Sequence, residues 1–232
     1  MMNYGQFCPI AKAAEIVAER WTPLVLHELL AGSTRFSDIR RGVPLMSQTL
    51  LSTRLKELER VGIVERRGAG KLAREWHLTE AGRALAPVIQ QLGEWGLRYA
   101  QIPLRESDLD VTVMMWNMKR RVDPNVFPAR RTTIQFDYID MPESHRRWWL
   151  VNEHAMVDLC AFDPGFPIDV FVTTDMPTMI AVWFGRLTWD AGIRSGKIEV
   201  TGPRQLRDRL RLWFLLSPIA PKRIGAPVAA IA

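Results

Sequence analysis

The stretch that decides the fold runs from Met46 to Trp76 and reads MSQTLLSTRLKELERVGIVERRGAGKLAREW. Three of its leucines stand at the spacing of one helical face: Leu51, Leu55 and Leu58. Ser47 is a residue type that caps the N-terminus of a helix, and Gly62 is one that ends a helix. The pattern therefore predicts a helix that begins at Ser47 and ends at Gly62.

The other side of this predicted helix carries short polar and basic residues. They are Gln48, Thr49, Ser52, Thr53 and Lys56. A strand over residues 63–67, a glycine turn over 68–70 and a returning strand over 74–78 are predicted to follow. Basic side chains crowd this hairpin at Arg66, Arg67, Lys71 and Arg74. A polar helix followed at once by a basic hairpin is the plan of a winged helix-turn-helix, in which the helix enters the DNA major groove and the hairpin touches the DNA backbone.

Length and composition exclude several other classes of protein. The chain has 232 residues, enough for one large or two small domains, and its 47% apolar and 24% charged residues are typical of a globular protein. The net charge of +6 favours a polyanionic partner. The two cysteines, Cys8 and Cys160, do not make a disulfide framework. No apolar run is long enough to span a bilayer, so we expect a cytoplasmic protein with no membrane partner.

Helical patterns also flank the central stretch. Helices are predicted over residues 9–19, 24–30 and 36–41, and a longer helix is predicted after a Thr79 cap, with an interruption at Pro87. The apolar face of the first helix is predicted to consist of Ile10, Ala14 and Val17.

Several motifs in the first half occur together: Cys8-Pro9, Trp21-Thr22-Pro23, Arg35-Phe36-Ser37-Asp38-Ile39, Ser47-Gln48, RLKELE at 54–59, and Leu78-Thr79-Glu80-Ala81-Gly82. With these motifs, about residues 7–98 resemble the HxlR-type winged-helix regulators of bacteria. The resemblance implies a homodimer, joined through its outer helices, that binds a two-fold symmetric operator in double-stranded DNA.

The resemblance also implies which residues face DNA. On the helix they are Ser47, Gln48, Thr49, Thr53, Arg54 and Lys56. The plain alternative for Arg54 and Lys56 is solvated helix surface. The predicted hairpin departs from the family pattern because it is short and glycine-rich, which leaves open how deeply it reaches into the minor groove. Some members sense oxidants or electrophiles through a cysteine such as Cys8, which makes Cys8 a candidate redox sensor.

The second half predicts an α+β domain with a mostly antiparallel sheet. Strands are predicted over residues 131–138, 147–151, 155–160, 168–174 and 196–200, and helices over 110–121, 176–185, 188–194 and 203–216. The predicted organisation is a winged helix domain at 1–100, a linker at 101–110, the α+β domain at 111–217 and a Pro- and Ala-rich tail at 218–232.

Four short runs in this half carry a second resemblance: 170–175, 183–186, 193–198 and 201–203. With them, residues 111–216 resemble the sterol-carrier-protein-like domains. The resemblance implies a five-stranded sheet with helices packed on one side, around an apolar tunnel that holds an acyl chain or a sterol. Aromatic residues are candidates to line it: Trp116, Trp148, Phe171, Trp183 and Phe184. The alternative for each of them is an ordinary place in the core.

No pattern in the sequence points to catalysis. The four histidines and two cysteines form no cluster with metal-ligand spacing, so no metal site is predicted. The sequence contains no nucleophile elbow, phosphate-binding loop or dinucleotide-binding motif. We therefore expect a protein that is not an enzyme and that needs no cofactor.

The sequence supports three hypotheses. The first is a sequence-specific DNA-binding transcriptional regulator, acting as a homodimer, whose C-terminal domain binds a small apolar effector. The second keeps DNA binding but makes the C-terminal domain structural or protein-interacting, with redox sensing at Cys8. The third is a lipid-binding protein without a DNA function. The operator, the regulated genes, the direction of regulation and the effector are left open by the sequence.

Overall fold

The computed structural model describes residues 3–68, 75–100, 105, 108–128 and 130–220. The chain divides into two compact units, Met1–Gly93 and Glu94–Ala232. The predicted turn residues 69 and 70, Lys71 and Arg74 lie outside the described residues, as do most of the predicted linker and residues 221–232 of the predicted tail. No helix in the described ranges is both long enough and apolar enough to cross a membrane.

The first unit consists of helices followed by a hairpin and two more helices. Its elements are α1 (Pro9–Val17), α2 (Thr22–Leu30), α3 (Phe36–Gly42), α4 (Gln48–Arg60), β1 (Val64–Arg67), β2 (Glu75–Leu78), α5 (Glu80–Ala84) and α6 (Ala86–Tyr99), the last of which continues into the second unit. β1 and β2 are antiparallel, with Arg66 opposite Trp76. This order is that of the predicted winged helix-turn-helix, and the break between α5 and α6 falls just before Pro87, as predicted.

Helix α4 begins and ends as its sequence predicts. The hydroxyl of Ser47 accepts a hydrogen bond from the Leu50 amide at 3.2 Å and so caps the helix. Leu51, Leu55 and Leu58 are fully buried in the core of the first unit. The backbone of Gly62 has a positive φ of 73°, which glycine adopts at little cost, and turns the chain into the hairpin.

A tight contact holds the end of α4 against the start of α5. The Thr79 hydroxyl donates to the Gly62 carbonyl at 2.6 Å and accepts from the Gly82 amide at 3.1 Å, which caps α5. A Cβ at Gly82 would lie 2.2 Å from the carbonyl oxygen of Ile63. Only glycine therefore allows this close approach of α5 to the corner between α4 and β1.

The predicted apolar face of α1 is not buried. No residue of α1 reaches full burial, and the Ile10 side chain is 79% exposed. Ile10 therefore lies on an apolar face that the first unit leaves uncovered, because helical spacing predicts that a face is apolar but not what packs on it.

The second unit contains a five-stranded sheet and several helices. Its elements are α7 (Val111–Arg120), a 3₁₀ turn (Pro124–Val126), β3 (Thr132–Tyr138), α8 (Glu143–Arg146), β4 (Arg147–Glu153), β5 (Met156–Cys160), β6 (Val170–Thr174), α9 (Met176–Trp183), α10 (Trp189–Arg194), β7 (Glu199–Thr201) and α11 (Arg204–Trp213). The strand order is β5-β4-β3-β6-β7, and the β3–β6 pair alone among these neighbours is parallel. The prediction of an α+β unit with a mostly antiparallel sheet is confirmed.

The core of the second unit lies on one face of this sheet. Alternate residues of the central strand β3, namely Ile134, Phe136 and Tyr138, are fully buried. They belong to one apolar cluster with Met115 of α7 and Leu210 of α11. Helices therefore cover this face, and methionines are prominent among the residues that fill the space between the layers: Met114, Met115, Met118, Met176 and Met179.

Candidate nucleic-acid interface

Helix α4 presents one polar surface to solvent. Five of the residues that were predicted to face DNA are exposed on it: Ser47, Gln48, Thr49, Thr53 and Lys56. We call these five residues the α4 surface. Within the described part of the chain, Lys56 pairs with no carboxylate. Hydroxyl, amide and ammonium groups on a helix of this size match the hydrogen-bonding groups of a DNA major groove.

Arg54 does not belong to the α4 surface. At 3.6 residues per turn it lies about 160° around the helix axis from Lys56. Its side chain is buried, with 8% exposure, and its guanidinium contacts Glu57 at 2.7 Å and Glu19 at 3.3 Å. The expected place of Arg54 on the DNA-facing side is therefore corrected: it ties α4 to the turn between α1 and α2.

The described arginines of the hairpin are exposed, and each forms an ion pair with a glutamate of this chain. Nε of Arg66 donates to Glu59 of α4 at 2.7 Å, and this pairing raises the pKa of Arg66 above its ordinary value. The Arg66 guanidinium also lies 5.4 Å from the centre of the Trp76 ring. Arg67 pairs with Glu65 of its own strand at 2.6 Å. The Arg66–Glu59 pair thus fastens the hairpin to the C-terminal end of α4.

The two cysteines lie in different surroundings. Cys8 is a free, half-buried thiol at the N-cap position of α1, where its carbonyl accepts from the Lys12 amide at 3.0 Å. Cys160 is a free, half-buried thiol on β5. Burial raises the pKa of Cys160, and the carboxylate of Asp158 adds to this effect. The Cys160 thiol is therefore less often ionised at neutral pH than an ordinary cysteine.

The structure does not bring the five predicted ligand-lining aromatics together. Trp148 is buried among the helix-facing residues of the sheet. Phe171 points to the opposite face, because its neighbours Val170 and Val172 are in the core, and it is 42% exposed. Trp116 is buried, Trp183 and Phe184 are half-buried, and Trp183 borders a small cavity of about 20 Å³. These five residues therefore do not line a single tunnel.

No group of three or more His, Cys, Asp or Glu side chains that could hold a metal occurs among the residues with described positions. The arrangement offers a polar helix surface and a basic hairpin, and these suit recognition of an anionic polymer.

Comparison with known proteins finds helix-turn-helix regulators. Residues 16–103 match a family model described as HxlR-like helix-turn-helix. The chain is 40% identical over 101 residues to YvaP of Bacillus subtilis, described as an uncharacterized HTH-type transcriptional regulator, and the match covers 42% of this chain and 94% of YvaP. It is 36% identical over 97 residues to the HTH-type transcriptional regulator YodB of the same organism, covering 40% of this chain and 87% of YodB.

Two solved structures of regulators are also similar to this chain. The quinone-bound form of B. subtilis YodB shares 38% sequence identity, covers 39% of this chain and 97% of its own, and has a TM-score of 0.34. The oxidized form of the redox regulator HypR shares 30% identity, covers 42% of this chain and 100% of its own, and has a TM-score of 0.38. Each of these matches covers less than half of the chain.

Replacing Arg54 by alanine tests whether this arginine is structural. We expect Arg54→Ala to lower the free energy of unfolding by about 1–3 kcal/mol, because the carboxylates of Glu19 and Glu57 lose a largely buried cation. Lys56→Ala, two residues away and exposed, is the matched control and should change it by less than about 0.5 kcal/mol. Urea denaturation followed by circular dichroism measures both, and equal losses would contradict the assignment.

Proposed function

The chain belongs to the HxlR-like helix-turn-helix family of DNA-binding transcriptional regulators, and we propose that it recognises a two-fold symmetric operator as a homodimer. We propose a DNA-binding domain at residues 1–100, a linker at 101–110, an effector domain at 111–217 and a tail at 218–232. Membership of this family argues against the hypothesis of a lipid-binding protein without a DNA function.

The observation that carries this proposal is the exposed α4 surface. Gln48 and Thr53 have side chains that can both donate and accept hydrogen bonds at base edges. Ser47 and Thr49 lie at the N-terminus of α4, where a helix favours a phosphate group. Lys56 has no internal partner in the described ranges and is the cation on this surface that is free to meet DNA.

The hairpin is proposed to contact the DNA backbone beside the groove that α4 enters. Arg66 and Arg67 present guanidinium groups suited to phosphate oxygens, and Lys71 and Arg74 are assigned the same role from their sequence positions. Each phosphate contact by Arg66 or Arg67 exchanges a glutamate carboxylate for a phosphate. The net gain from these two residues is therefore smaller than from an unpaired cation.

The homodimer proposal is supported by apolar side chains that the first unit leaves uncovered. Phe7 and Ile10, at and near the start of α1, are 98% and 79% exposed, and Val88 and Leu92 of α6 are 50% and 51% exposed. Apolar side chains on these two helices can pack against the same side chains of a second copy related by a two-fold axis.

The second unit is proposed to bind a small apolar effector, as the sterol-carrier-protein-like resemblance implies. Its five-stranded sheet with helices on one face, and a core rich in methionine, support this role. An effector would alter operator affinity by preferring one arrangement of the dimer over another.

DNA binding by variants of α4 and the hairpin tests the interface. We expect Gln48→Ala or Thr53→Ala to reduce the ratio of affinities for the selected operator and a scrambled duplex by roughly fivefold to a hundredfold, because a base contact is lost. Arg67→Ala should lower both affinities by the same factor, since phosphate contacts read no sequence. In vitro selection with the wild-type protein supplies the operator, and fluorescence anisotropy supplies the affinities.

Arg204→Ala, an exposed arginine of α11 in the second unit, is the control and should leave both affinities unchanged. The placement of α4 and the hairpin is wrong if the variants at Gln48, Thr53 and Arg67 bind both duplexes like the wild-type protein.

Oligomeric state tests the proposed use of α6. The wild-type protein should have a mass about twice the 26.6 kDa of one chain by size-exclusion chromatography with light scattering. Leu92→Glu should shift it to a monomer, because a charge would then face its own copy. Ile139→Glu is a matched control on an exposed isoleucine of the second unit, 56% exposed, and should remain a dimer. A monomeric wild-type protein would refute the homodimer.

A second candidate function is redox sensing at Cys8. The favouring observation is that this free thiol lies at the N-cap position of α1, the outer helix whose apolar side chains we assign to the dimer contact. A change in the size and charge at this position would disturb the start of that helix. On this hypothesis the second unit is structural or protein-interacting, and the chemical signal enters through the first unit.

Oxidation by diamide separates the two cysteines. Diamide oxidises two thiols to one disulfide, so glutathione is added to supply the second thiol. Diamide with glutathione should weaken operator binding by the wild-type protein and by Cys160→Ser, whereas Cys8→Ser should keep its affinity. Alkylation of Cys160 should be slow at neutral pH and accelerate as the pH rises, because its raised pKa keeps the thiol protonated. Protection by Cys160→Ser instead of Cys8→Ser would exclude Cys8 as the sensor.

A further inference from the structure

A groove lies between helices α10 and α11 of the second unit. It consists of two cavities of about 250 Å³ and 230 Å³, which share Trp189, Asp190 and Arg211 in their walls. Asp190 and Arg211 contact each other at 3.7 Å between exposed side chains. The combined space is of the size that small-molecule sites occupy, about 300–1,000 Å³.

The inner wall of the groove is apolar. Trp189 is 8% exposed and stacks on Phe214, with ring centres 5.4 Å apart. Val182 and Leu187 line the same cavity as Phe214, and Val200 of β7 lines the other. The indole N–H of Trp189 is buried and has no acceptor among the described residues. Such unpaired donors are rare in native structures, and this one belongs to the tryptophan that both cavities share.

The rim of the groove is charged, and its charges are unequally paired. Asp190 forms an ion pair with Arg211, and Asp208 forms one with Arg204, both at 3.7 Å. Arg207, which also lines the groove, is exposed and has no carboxylate partner within the described ranges. Exposed ion pairs such as Asp190–Arg211 are weak, so a ligand anion can replace the Asp190 carboxylate. The groove therefore offers two cations to an anion: Arg207, which is unpaired among the described residues, and Arg211, which can exchange the carboxylate of Asp190 for the anion.

We propose that this groove binds an amphipathic organic anion, with its apolar body against Trp189 and Phe214 and its acidic group at Arg207. This inference rests on the proposed role of the second unit in effector binding, and it places that site at α10 and α11. None of the five aromatics predicted from the sequence lines either of the two cavities. The recognised chemistry is an acid group attached to an apolar or aromatic body.

Two dyes that differ only in charge test this proposal. 1-Anilinonaphthalene-8-sulfonate has an aromatic body with a sulfonate, and N-phenyl-1-naphthylamine is the same body without it. Both fluoresce more strongly in an apolar site, so titration into the full-length protein reports both affinities. Arg207→Ala should weaken binding of the sulfonate roughly threefold and leave the neutral dye unchanged. Asp190→Ala should strengthen binding of the sulfonate by a similar factor, because it frees Arg211.

Two further variants locate the site. Ile193→Ser, at an exposed position that lines the groove, should weaken binding of both dyes without opening the core. Arg194→Ala, an exposed arginine of the same helix that lines neither cavity, is the control and should change neither affinity.

The outcomes separate this inference from the proposed function. If both dyes bind but Arg207→Ala and Ile193→Ser leave their affinities unchanged, the groove is not the site and the dyes bind elsewhere on the protein. If neither dye binds, the groove is likewise overturned and the effector role of the second unit loses its support. Operator binding measured in parallel shows whether the DNA-binding function stands in either case.

Discussion

Burial of the leucine face of α4 is the constraint on which the first unit depends. Leu51, Leu55 and Leu58 each remove a large apolar side chain from water, which stabilises the fold by about 2 kcal/mol each. Once they point inward, the rotation of α4 about its axis is fixed. The polar side chains on the other side of α4 then face solvent as a group, so the burial that folds the unit also exposes the residues that we propose for DNA contact.

Local signals predicted the first unit well because each acts over a few residues. A Ser47 cap, a leucine repeat and a Gly62 stop fix α4 without help from the rest of the chain. Arg54 was misplaced, although helical geometry alone puts it opposite Lys56. Its partner Glu19 lies 35 positions away, a pairing that no local pattern encodes. Ile10 shows the same limit of local patterns, because the spacing of apolar residues does not show which surface packs on them.

In the second unit, alternation of apolar residues predicted the strands and the class of the sheet. It could not predict the groove that we propose as a ligand site, because a list of aromatic residues ignores which face of the sheet each residue occupies. Trp148 on β4 and Phe171 on β6, the two strands that flank β3, point to opposite faces of the sheet. The groove that we describe depends on residues such as Trp189 and Arg211, which come from separate helices. Their proximity follows from packing and has no signature within either helix.

The glutamates that pair with Arg66 and Arg67 affect the net number of ions released when this protein binds DNA. DNA releases its condensed cations wherever a positive side chain replaces them. A phosphate that takes an arginine from a glutamate also leaves a bare carboxylate, which gathers cations from solution. Release at the nucleic acid is thus partly cancelled by uptake at the protein. The complex should be less sensitive to ionic strength than a tally of its basic residues suggests.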